Sequence, residues 1–241
     1  MTARFVYRSF KSRLRDQRQE IKALLKACAA GDTAVDIGAN KGSYIYWMSR
    51  AVARTGRVVA FEPQPNLAAY LSKAVTACGL KNVVIEQKAV SGQSGEVILH
   101  VPGESSPEAS LETHVRTREG CRQVKVEAVR LDDYFLGYKG RISVIKVDVE
   151  GHELSVFRGA RRIIMEHSPM LIFETENRHL SKGTVLDVLN YLKGIGYDGS
   201  FVFKNSLLSI EKFVPELHQS QAGERFWDRS SYCNNFIMQK D

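Results

Sequence analysis

Strand-like and helix-like segments alternate along this chain from residue 33 onward, and this alternation limits the fold more than any other feature of the sequence. Residues 33–40 (TAVDIGAN) and 57–63 (RVVAFEP) have the apolar character of strands, and helical periodicity follows each of them over about 41–54 and 65–78. Strands that alternate with helices build βαβ units and therefore a parallel sheet. We predict an α/β fold with a Rossmann-like, mostly parallel sheet.

The later segments predict another central strand, an insertion and a closing strand pair. Residues 141–149 (RISVIKVDV) are almost continuously apolar, as expected of a strand covered on both faces. Residues 96–101 and 123–129 alternate in polarity, which predicts an antiparallel β-hairpin insertion over about 95–130 with a mobile loop at 103–122. Residues 199–203 (GSFVF) and 232–238 (YCNNFIM) are expected to add an antiparallel closing strand.

The first 31 residues form a basic segment of their own. Apolar residues at spacings of three, four and seven predict one amphipathic helix over 8–28 that ends before Gly31; they are Phe10, Leu14, Ile21, Leu24, Leu25 and Cys28. Residues 1–26 carry eight Lys or Arg and only two acids, so almost all of the formal net charge of +7 resides there. Such a helix either covers the domain or attaches reversibly to an anionic membrane surface.

Composition favours a cytoplasmic protein. No apolar run approaches the length that spans a bilayer, and the N-terminus lacks the apolar core of a secretory signal. The four cysteines are scattered without metal-ligand spacing, which suits a reducing compartment. We therefore expect a cytoplasmic location, with peripheral contact at the inner face of the membrane as the alternative that the basic helix leaves open.

The segment VDIGANKGS, residues 35–43, carries the first candidate binding site. A strand delivers Asp36, and Gly38 and Gly42 let backbone approach a ligand without a Cβ in the way, while the helix start offers free N–H groups. The dinucleotide fingerprint has a middle glycine where this chain has Asn40. The pattern fits a methionyl group better than a pyrophosphate, with Asp36 meeting the ammonium directly or through water.

Glu62, which ends the next strand before Pro63, is the second candidate. It follows Gly38 by 24 residues, so it should lie at the tip of the adjacent strand and accept hydrogen bonds from a ribose diol. Nicotinamide cofactors use the same interaction. Glu62 therefore predicts an adenosine-type cofactor without choosing between the two classes.

The segment VIKVDVEGHE, residues 144–153, holds the candidate catalytic residues. The carboxyl ends of parallel strands form the ligand crevice, so Asp148, Glu150, His152 and Glu153 should lie beside the cofactor. Glu153 is better interpreted as a first-turn charge that is favourable to the dipole of the next helix. Asp148 or His152 is the expected general base, although His152 is equally well interpreted as the start of the next helix. Glu174, which ends a neighbouring strand, is expected to assist as base, hydrogen-bond acceptor or partner of Asp148 in binding a divalent metal, a choice the sequence leaves open.

The segments VDIGANKGSY, AFEPQP and IKVDVEGHE, the last followed by VFRGA, resemble the FkbM family of methyltransferases over about residues 33–195. The resemblance implies a class I methyltransferase sheet and S-adenosylmethionine as methyl donor. Together with the chain length, which fits one α/β domain, we expect a single methyltransferase domain over 32–241. It also implies that Asp36, Gly38, Asn40 and Gly42 hold the methionyl end, Glu62 the ribose, and that Asp148 lies near the methyl group. The full predicted cofactor set is Asp36, Gly38, Ala39, Asn40, Gly42, Ser43, Glu62, Pro63, Ala89 and Asp148. The predicted catalytic set is Asp148, His152 and Glu174.

These features predict an S-adenosylmethionine-dependent O-methyltransferase that acts on a small-molecule or glycan hydroxyl, with a sugar as the expected acceptor. A nicotinamide-dependent oxidoreductase shares the fold and Glu62, and the missing glycine argues against it. A methyltransferase or binding module for nucleic acid would explain the basic N-terminus. The rest of the chain is nearly neutral and has no basic stripe with interleaved aromatics, so we expect no nucleic-acid partner.

Overall fold

The structure is a computed structural model that describes residues 2–103, 106, 108–112 and 120–240. The helices are α1 (Thr2–Lys11), α2 (Arg18–Ala27), α3 (Ile45–Ala51), α4 (Pro65–Ala77), α5 (Leu131–Tyr134), α6 (Glu153–Gly159), α7 (Arg161–His167), α8 (Val185–Gly194) and α9 (Pro215–His218). The strands are β1 (Thr33–Ile37), β2 (Arg57–Phe61), β3 (Val83–Glu86), β4 (Ala89–Val90), β5 (Gly95–Pro102), β6 (Cys121–Val129), β7 (Ile142–Val147), β8 (Met170–Glu174), β9 (Tyr197–Phe203), β10 (Ser206–Ser209) and β11 (Asn235–Lys240).

The main sheet has the strand order β10-β9-β11-β8-β7-β1-β2-β3. Strands β3, β2, β1, β7 and β8 pair in parallel, whereas β11 runs antiparallel to both β8 and β9. The predicted Rossmann-like, mostly parallel sheet with an antiparallel closing strand is confirmed. Every residue of β1 and β7 is buried, which explains the continuous apolar runs in their sequences.

The predicted hairpin insertion is also present. Strands β5 and β6 pair antiparallel from Gly95–Ala128 to Pro102–Cys121, and β4 joins β6 in a second, three-stranded sheet. Strands β3 and β4 follow each other closely in the chain but belong to different sheets, β3 to the main sheet and β4 to the small one. Of the predicted mobile loop, residues 104–105, 107 and 113–119 lie outside the described residues.

The N-terminal segment is two helices rather than the single helix that we predict over 8–28. A π-helical turn, Ser12–Asp16, separates α1 from α2. The buried side chains before and within the turn are Phe5, Ser9 and Ser12, and those after it are Glu20, Ile21 and Leu24. On one regular helix these two sets would face directions about 100° apart. Gln17, at φ −136° and ψ 46°, interrupts the helix after the π turn, so α2 buries a face of its own. Consequently Phe10 and Leu14, expected in the buried stripe, are 41% and 67% exposed.

Two further helix boundaries differ from the sequence expectation. Helix α3 begins at Ile45 instead of near residue 41, because the chain first turns through Gly38, Asn40 and Gly42, all at positive φ. The helix expected after β7 is broken at Ala160 into α6 and α7. In the part of the chain that the structure describes, no helix is both long enough and apolar enough to cross a membrane.

Helices cover both faces of the main sheet. On one face, α6, α7 and α8 bury Val156, Ile163 and Leu189 against strand residues such as Val147. On the other face, α2 and α3 pack around Ile21, Leu24 and Trp47. The carboxyl ends of β1, β2 and β7 therefore meet at one open edge, where parallel sheets bind ligands.

Candidate active site

A cleft opens at this edge between the main sheet and the insertion, with about 550 Å³ of empty space that includes its open mouth. Seven of the predicted site residues lie in its wall: Gly38, Asn40, Glu62, Pro63, Ala89, Asp148 and His152. Apolar side chains complete the wall, among them Val90 of β4, Leu99 of β5 and Leu111 of the insertion. The cleft thus has carboxyl groups from β2 and β7 and an apolar lining between them.

Glu62 is fixed in place by the backbone of two loops. The Asn40 N–H donates to Oε2 of Glu62 at 2.7 Å, and the Gln64 N–H donates to Oε1 at 2.9 Å. Burial raises the pKa of Glu62 to about 7, even though both hydrogen bonds and Lys146 favour the ionised form. Each carboxylate oxygen keeps a second lone pair. Glu62 can therefore accept two further hydrogen bonds from a diol in the cleft.

Gly38 is required by the close approach of β1 and β7. Its φ is +74°, and a Cβ there would overlap the backbone carbonyl oxygen of Asp148. The N–H groups of Gly38 and Ala39 both donate to the Phe61 carbonyl at 3.0 Å, and the Gly42 N–H donates to the Ala39 carbonyl. Because Asn40 donates to Glu62, these N–H groups are all used within the protein. The expectation that they are free for a ligand is wrong at these four positions.

Lys146 organises the strand ends from beneath the cleft. Its ammonium lies 3.3 Å from a carboxylate oxygen of Asp36, 3.3 Å from one of Asp148, and donates to the Gly38 carbonyl at 3.0 Å. Burial works to lower the pKa of Lys146, but the charges of Asp36 and Asp148 outweigh it and raise that pKa above its ordinary value. Lys146 also lies under the Tyr44 ring, with 5.4 Å from the ammonium to the ring centroid.

Asp36 is consequently bound to a protein cation and does not contribute to the cleft wall. It is 1% exposed, and burial raises its pKa against the opposing charge of Lys146. Asp36 was predicted from the sequence, whereas Lys146 was not. The signal was a single lysine inside the apolar run 142–147, since a lysine is buried in such a strand only when carboxylates compensate it.

His152 precedes α6 and connects the insertion to the sheet. Its Nδ1 lies 2.8 Å from Oε1 of Glu112, and its Nε2 lies 2.8 Å from the Ser91 hydroxyl. Because an ionised carboxylate only accepts, Nδ1 carries a proton, and the Nε2 of a neutral ring then accepts from Ser91. Both ring nitrogens are engaged in the protein, so His152 holds the insertion across the cleft.

Glu174 ends β8 and lies next to a second carboxyl group, that of Glu176. The Asn234 amide donates to Oε1 of Glu174 at 2.6 Å and to Glu176 at 3.1 Å. Burial, and then the charges of Asp148 and Glu150, raise the pKa of Glu174 well above its ordinary value. Burial also works to raise the pKa of Glu176, but Arg178, His179 and Tyr232 outweigh it and lower that pKa to about 2. The Asn234 amide therefore bridges two carboxyl groups whose pKa values are shifted in opposite directions.

The sequence model of the methyltransferase FkbM domain matches residues 36–198, about two thirds of the chain. This chain belongs to the FkbM methyltransferase family. The hexuronic acid methyltransferase AglP of Haloferax volcanii is 33% identical over 164 residues, which cover 65% of this chain and 64% of AglP. The chain spans less than two thirds of the length of AglP and of two fungal methyltransferases that it also matches.

Solved structures share the fold of the FkbM domain at low sequence identity. A methyltransferase FkbM structure from Methylobacillus flagellatus superposes with a TM-score of 0.53 at 18% identity, covering 87% of this chain and 43% of that one. A Streptococcus mutans structure described as a methyltransferase in complex with SAH has a TM-score of 0.52 at 11% identity, covering 93% of this chain and 97% of that one.

Within the FkbM domain, Gly42 lies against α1 and α4. Its φ is +79°, and a Cβ there would lie 2.5 Å from the Phe5 ring of α1 and 2.9 Å from Leu71 of α4. Ala39 belongs to the same apolar cluster. Ser43, like Glu174, lies outside the wall of the cleft. Gly42 and Ala39 therefore pack behind the cleft.

No group of three His, Cys, Asp or Glu side chains among the described residues is arranged to hold a metal ion. Glu150, one of the acids predicted to cluster, pairs with His179 through a 2.6 Å contact between its carboxylate and Nδ1. Glu153, interpreted from the sequence as a first-turn charge of the next helix, is the first residue of α6 but is fully buried, where it accepts from the Gly151 N–H and the Thr175 hydroxyl.

Proposed function

We propose that this protein transfers a methyl group from S-adenosylmethionine to a hydroxyl of a small molecule or glycan, with a sugar as the acceptor. The single observation that carries the proposal is the cleft of the FkbM domain, with Glu62 on one side and Asp148 on the other. The name of the relative AglP, a hexuronic acid methyltransferase, supports a sugar acceptor.

The residues of the cleft fit S-adenosylmethionine. Glu62 retains lone pairs for a ribose diol, and Ala89, Val90 and Leu99 offer an apolar surface for an adenine ring. Asp148 is the other carboxylate of the cleft wall, and the family resemblance implies that it lies near the methyl group. When bound, S-adenosylmethionine supplies an electrophilic methyl group on a sulfonium.

The chain's own residues must then orient the acceptor and remove its proton. The acceptor oxygen bonds to the methyl carbon as the carbon–sulfur bond breaks, and the hydroxyl proton passes to a base. Asp148 is the best candidate, because its side chain is 29% exposed in the cleft and Lys146 fixes the carboxylate from below. His152 already uses both ring nitrogens. Glu174 would accept a hydrogen bond from another hydroxyl of the acceptor.

The proposal is tested by incubating the protein with radiolabelled donor and a panel of nucleotide sugars, glycans and small hydroxylated metabolites. We expect label in a sugar pool. Asp148→Asn should bind S-adenosylhomocysteine normally and lose turnover, while the exposed control Asp198→Asn should change neither. Full activity of Asp148→Asn would remove Asp148 from the mechanism.

Calorimetry separates the methyltransferase from the oxidoreductase alternative, since both would use Glu62. Titrations with S-adenosylhomocysteine and with NAD are compared on the same protein. Binding of NAD alone would contradict the proposed function.

We also propose that α1 and the turn after it contact an anionic membrane surface. Tyr7 and Leu14 are each 67% exposed, although apolar side chains of this size gain free energy on burial. Arginines surround them in the sequence: Arg4, Arg13, Arg15 and Arg18. Basic side chains interleaved with exposed apolar ones are what binding to anionic lipid requires.

The membrane proposal is tested by sedimentation with phosphatidylcholine vesicles that contain or lack phosphatidylserine. We expect salt-sensitive binding that needs phosphatidylserine and is lost in a Tyr7→Ser, Leu14→Ser double variant. Leu217→Ser, at a 68% exposed leucine of α9, is the matched control. Equal sedimentation with both kinds of vesicle would contradict the proposal.

A further inference from the structure

Trp227 is an exposed tryptophan close to the acids at the end of β8. It lies in a 3₁₀ turn, Phe226–Asp228, between β10 and β11 and outside the FkbM match at 36–198. Its side chain is 45% exposed, whereas Trp47, the other tryptophan of the chain, is 7% exposed. A tryptophan left in water forgoes a large favourable burial energy, so its exposure calls for a reason.

The Trp227 ring is held in a defined orientation. The Arg178 guanidinium lies over the ring, 5.3 Å from its centroid, and Arg178 is itself bound by the Glu176 carboxylate. The turn begins after Arg225, a non-glycine residue at φ +48°, whose side chain pairs with Asp228. Ordering of this kind lowers the entropic cost of binding a partner on the ring surface that remains open.

Hydrogen bonds connect the Trp227 segment to the reaction edge of the sheet. The Tyr232 hydroxyl donates to Glu176 at 2.7 Å, and Asn234 bridges Glu176 and Glu174. The charge of Asp148 in turn contributes to the raised pKa of Glu174, which reflects their closeness. The exposed Trp227 ring therefore lies near the end of β8, where Glu174 and Glu176 are located.

The chemistry of this surface matches a neutral sugar. A sugar ring has a C–H face that stacks on the negative face of an aromatic ring, and an edge of hydroxyls that needs donors and acceptors. Glu174 and Asn234 supply acceptors, because the Asn234 amide N–H groups donate to Glu174 and Glu176 and lone pairs remain on Oδ1 of Asn234 and on the Glu174 carboxyl. Glu176 accepts from Nε and Nη2 of Arg178, so the Arg178 charge is compensated and attracts an anionic sugar less strongly.

We propose that Trp227 is the stacking platform for a neutral sugar ring of the methyl acceptor, with the hydroxyls of that ring bound by Glu174 and Asn234. The inference rests on the proposed function and adds to it a residue that determines acceptor specificity. It also explains why Trp227 lies outside the FkbM match, since methyltransferases that share one methyl donor can act on different acceptors.

Kinetics on the acceptor found by label transfer tests the proposal. Trp227→Ala should raise KM for that acceptor by about tenfold, the loss of one aromatic contact, with kcat and S-adenosylhomocysteine affinity retained. Trp227→Phe should recover most of the affinity. Leu136→Ala, at an 80% exposed leucine beyond α5, is the control and should behave as the wild type.

Fluorescence gives a readout that does not depend on turnover. In Trp47→Phe, Trp227 is the only tryptophan, and adding the acceptor with S-adenosylhomocysteine should shift its emission to shorter wavelength and reduce acrylamide quenching. Matched neutral glycosides and glucuronides are compared, and the neutral ones should give the larger effect.

The outcomes separate the two proposals. Normal KM in Trp227→Ala, or stronger protection by glucuronides, overturns the role of Trp227 while methyl transfer to a sugar stands. If no sugar accepts label although S-adenosylhomocysteine binds, the proposed acceptor class fails, and the platform is overturned with it.

Discussion

Replacing Lys146 with methionine tests how the strand ends are held together. Methionine keeps much of the side-chain volume but removes the ammonium that lies 3.3 Å from both Asp36 and Asp148. Asp36 is 1% exposed and would be left as a buried carboxyl without a cation. Removing one partner of a buried ion pair costs about 3–5 kcal/mol of unfolding free energy.

The loss of unfolding free energy in Lys146→Met should depend on pH. Without Lys146, the pKa of Asp36 in the folded state rises further above its unfolded value, because burial is no longer opposed. A carboxyl with a raised folded pKa stabilises the protein below its unfolded pKa, and that stability is lost as pH rises through the folded pKa. The deficit of Lys146→Met should therefore be smaller near pH 5 than near pH 8.

Urea unfolding followed by circular dichroism measures both effects. Lys139→Met, at an exposed lysine, is the control. The double variant Asp36→Leu, Lys146→Met should recover most of the lost stability, since no buried charge is left unpaired. A deficit below about 1 kcal/mol, the range of an exposed ion pair, would refute the reasoning.

Three further predictions concern the cleft and its supports. S-adenosylhomocysteine affinity, measured by calorimetry, should rise about tenfold between pH 6 and 8, because the pKa of Glu62 is raised to about 7 and the ionised carboxylate accepts hydrogen bonds from the diol. In Glu62→Gln the affinity should no longer depend on pH over this range. Gly42→Ala should lower the unfolding free energy by about 2–4 kcal/mol and expose α1 to protease. Gly79→Ala is the control, because Gly79 has φ +66° and open space around it. Its smaller loss of unfolding free energy measures the cost of the backbone conformation without a steric overlap. Glu112→Ala should weaken S-adenosylhomocysteine binding about tenfold, since a charge-assisted hydrogen bond to His152 that holds the insertion is lost; unchanged affinity would contradict that role.

The strand order along the chain and the positions of Glu62 and Asp148 follow from local sequence. Successive side chains of a strand point to opposite faces of the sheet. A strand buried on both faces is therefore a continuous apolar run in the sequence, and a half-buried hairpin strand alternates between apolar and polar residues. In a parallel sheet the carboxyl ends of neighbouring strands share one edge. Residues that end such strands are therefore brought together whatever the loops do, and seven predicted site residues do line one cleft.

Which side chains pair across that edge was decided by the tertiary structure. Lys146 meets Asp36 because β7 lies beside β1, and Asn234 joins Glu174 to Glu176 because β11 inserts next to β8. The π turn between α1 and α2, and the contact of Gly42 with Phe5, likewise depend on how a helix meets a distant surface. Charge compensation and packing act between residues far apart in the chain. Local periodicity therefore does not predict which side chains will pair.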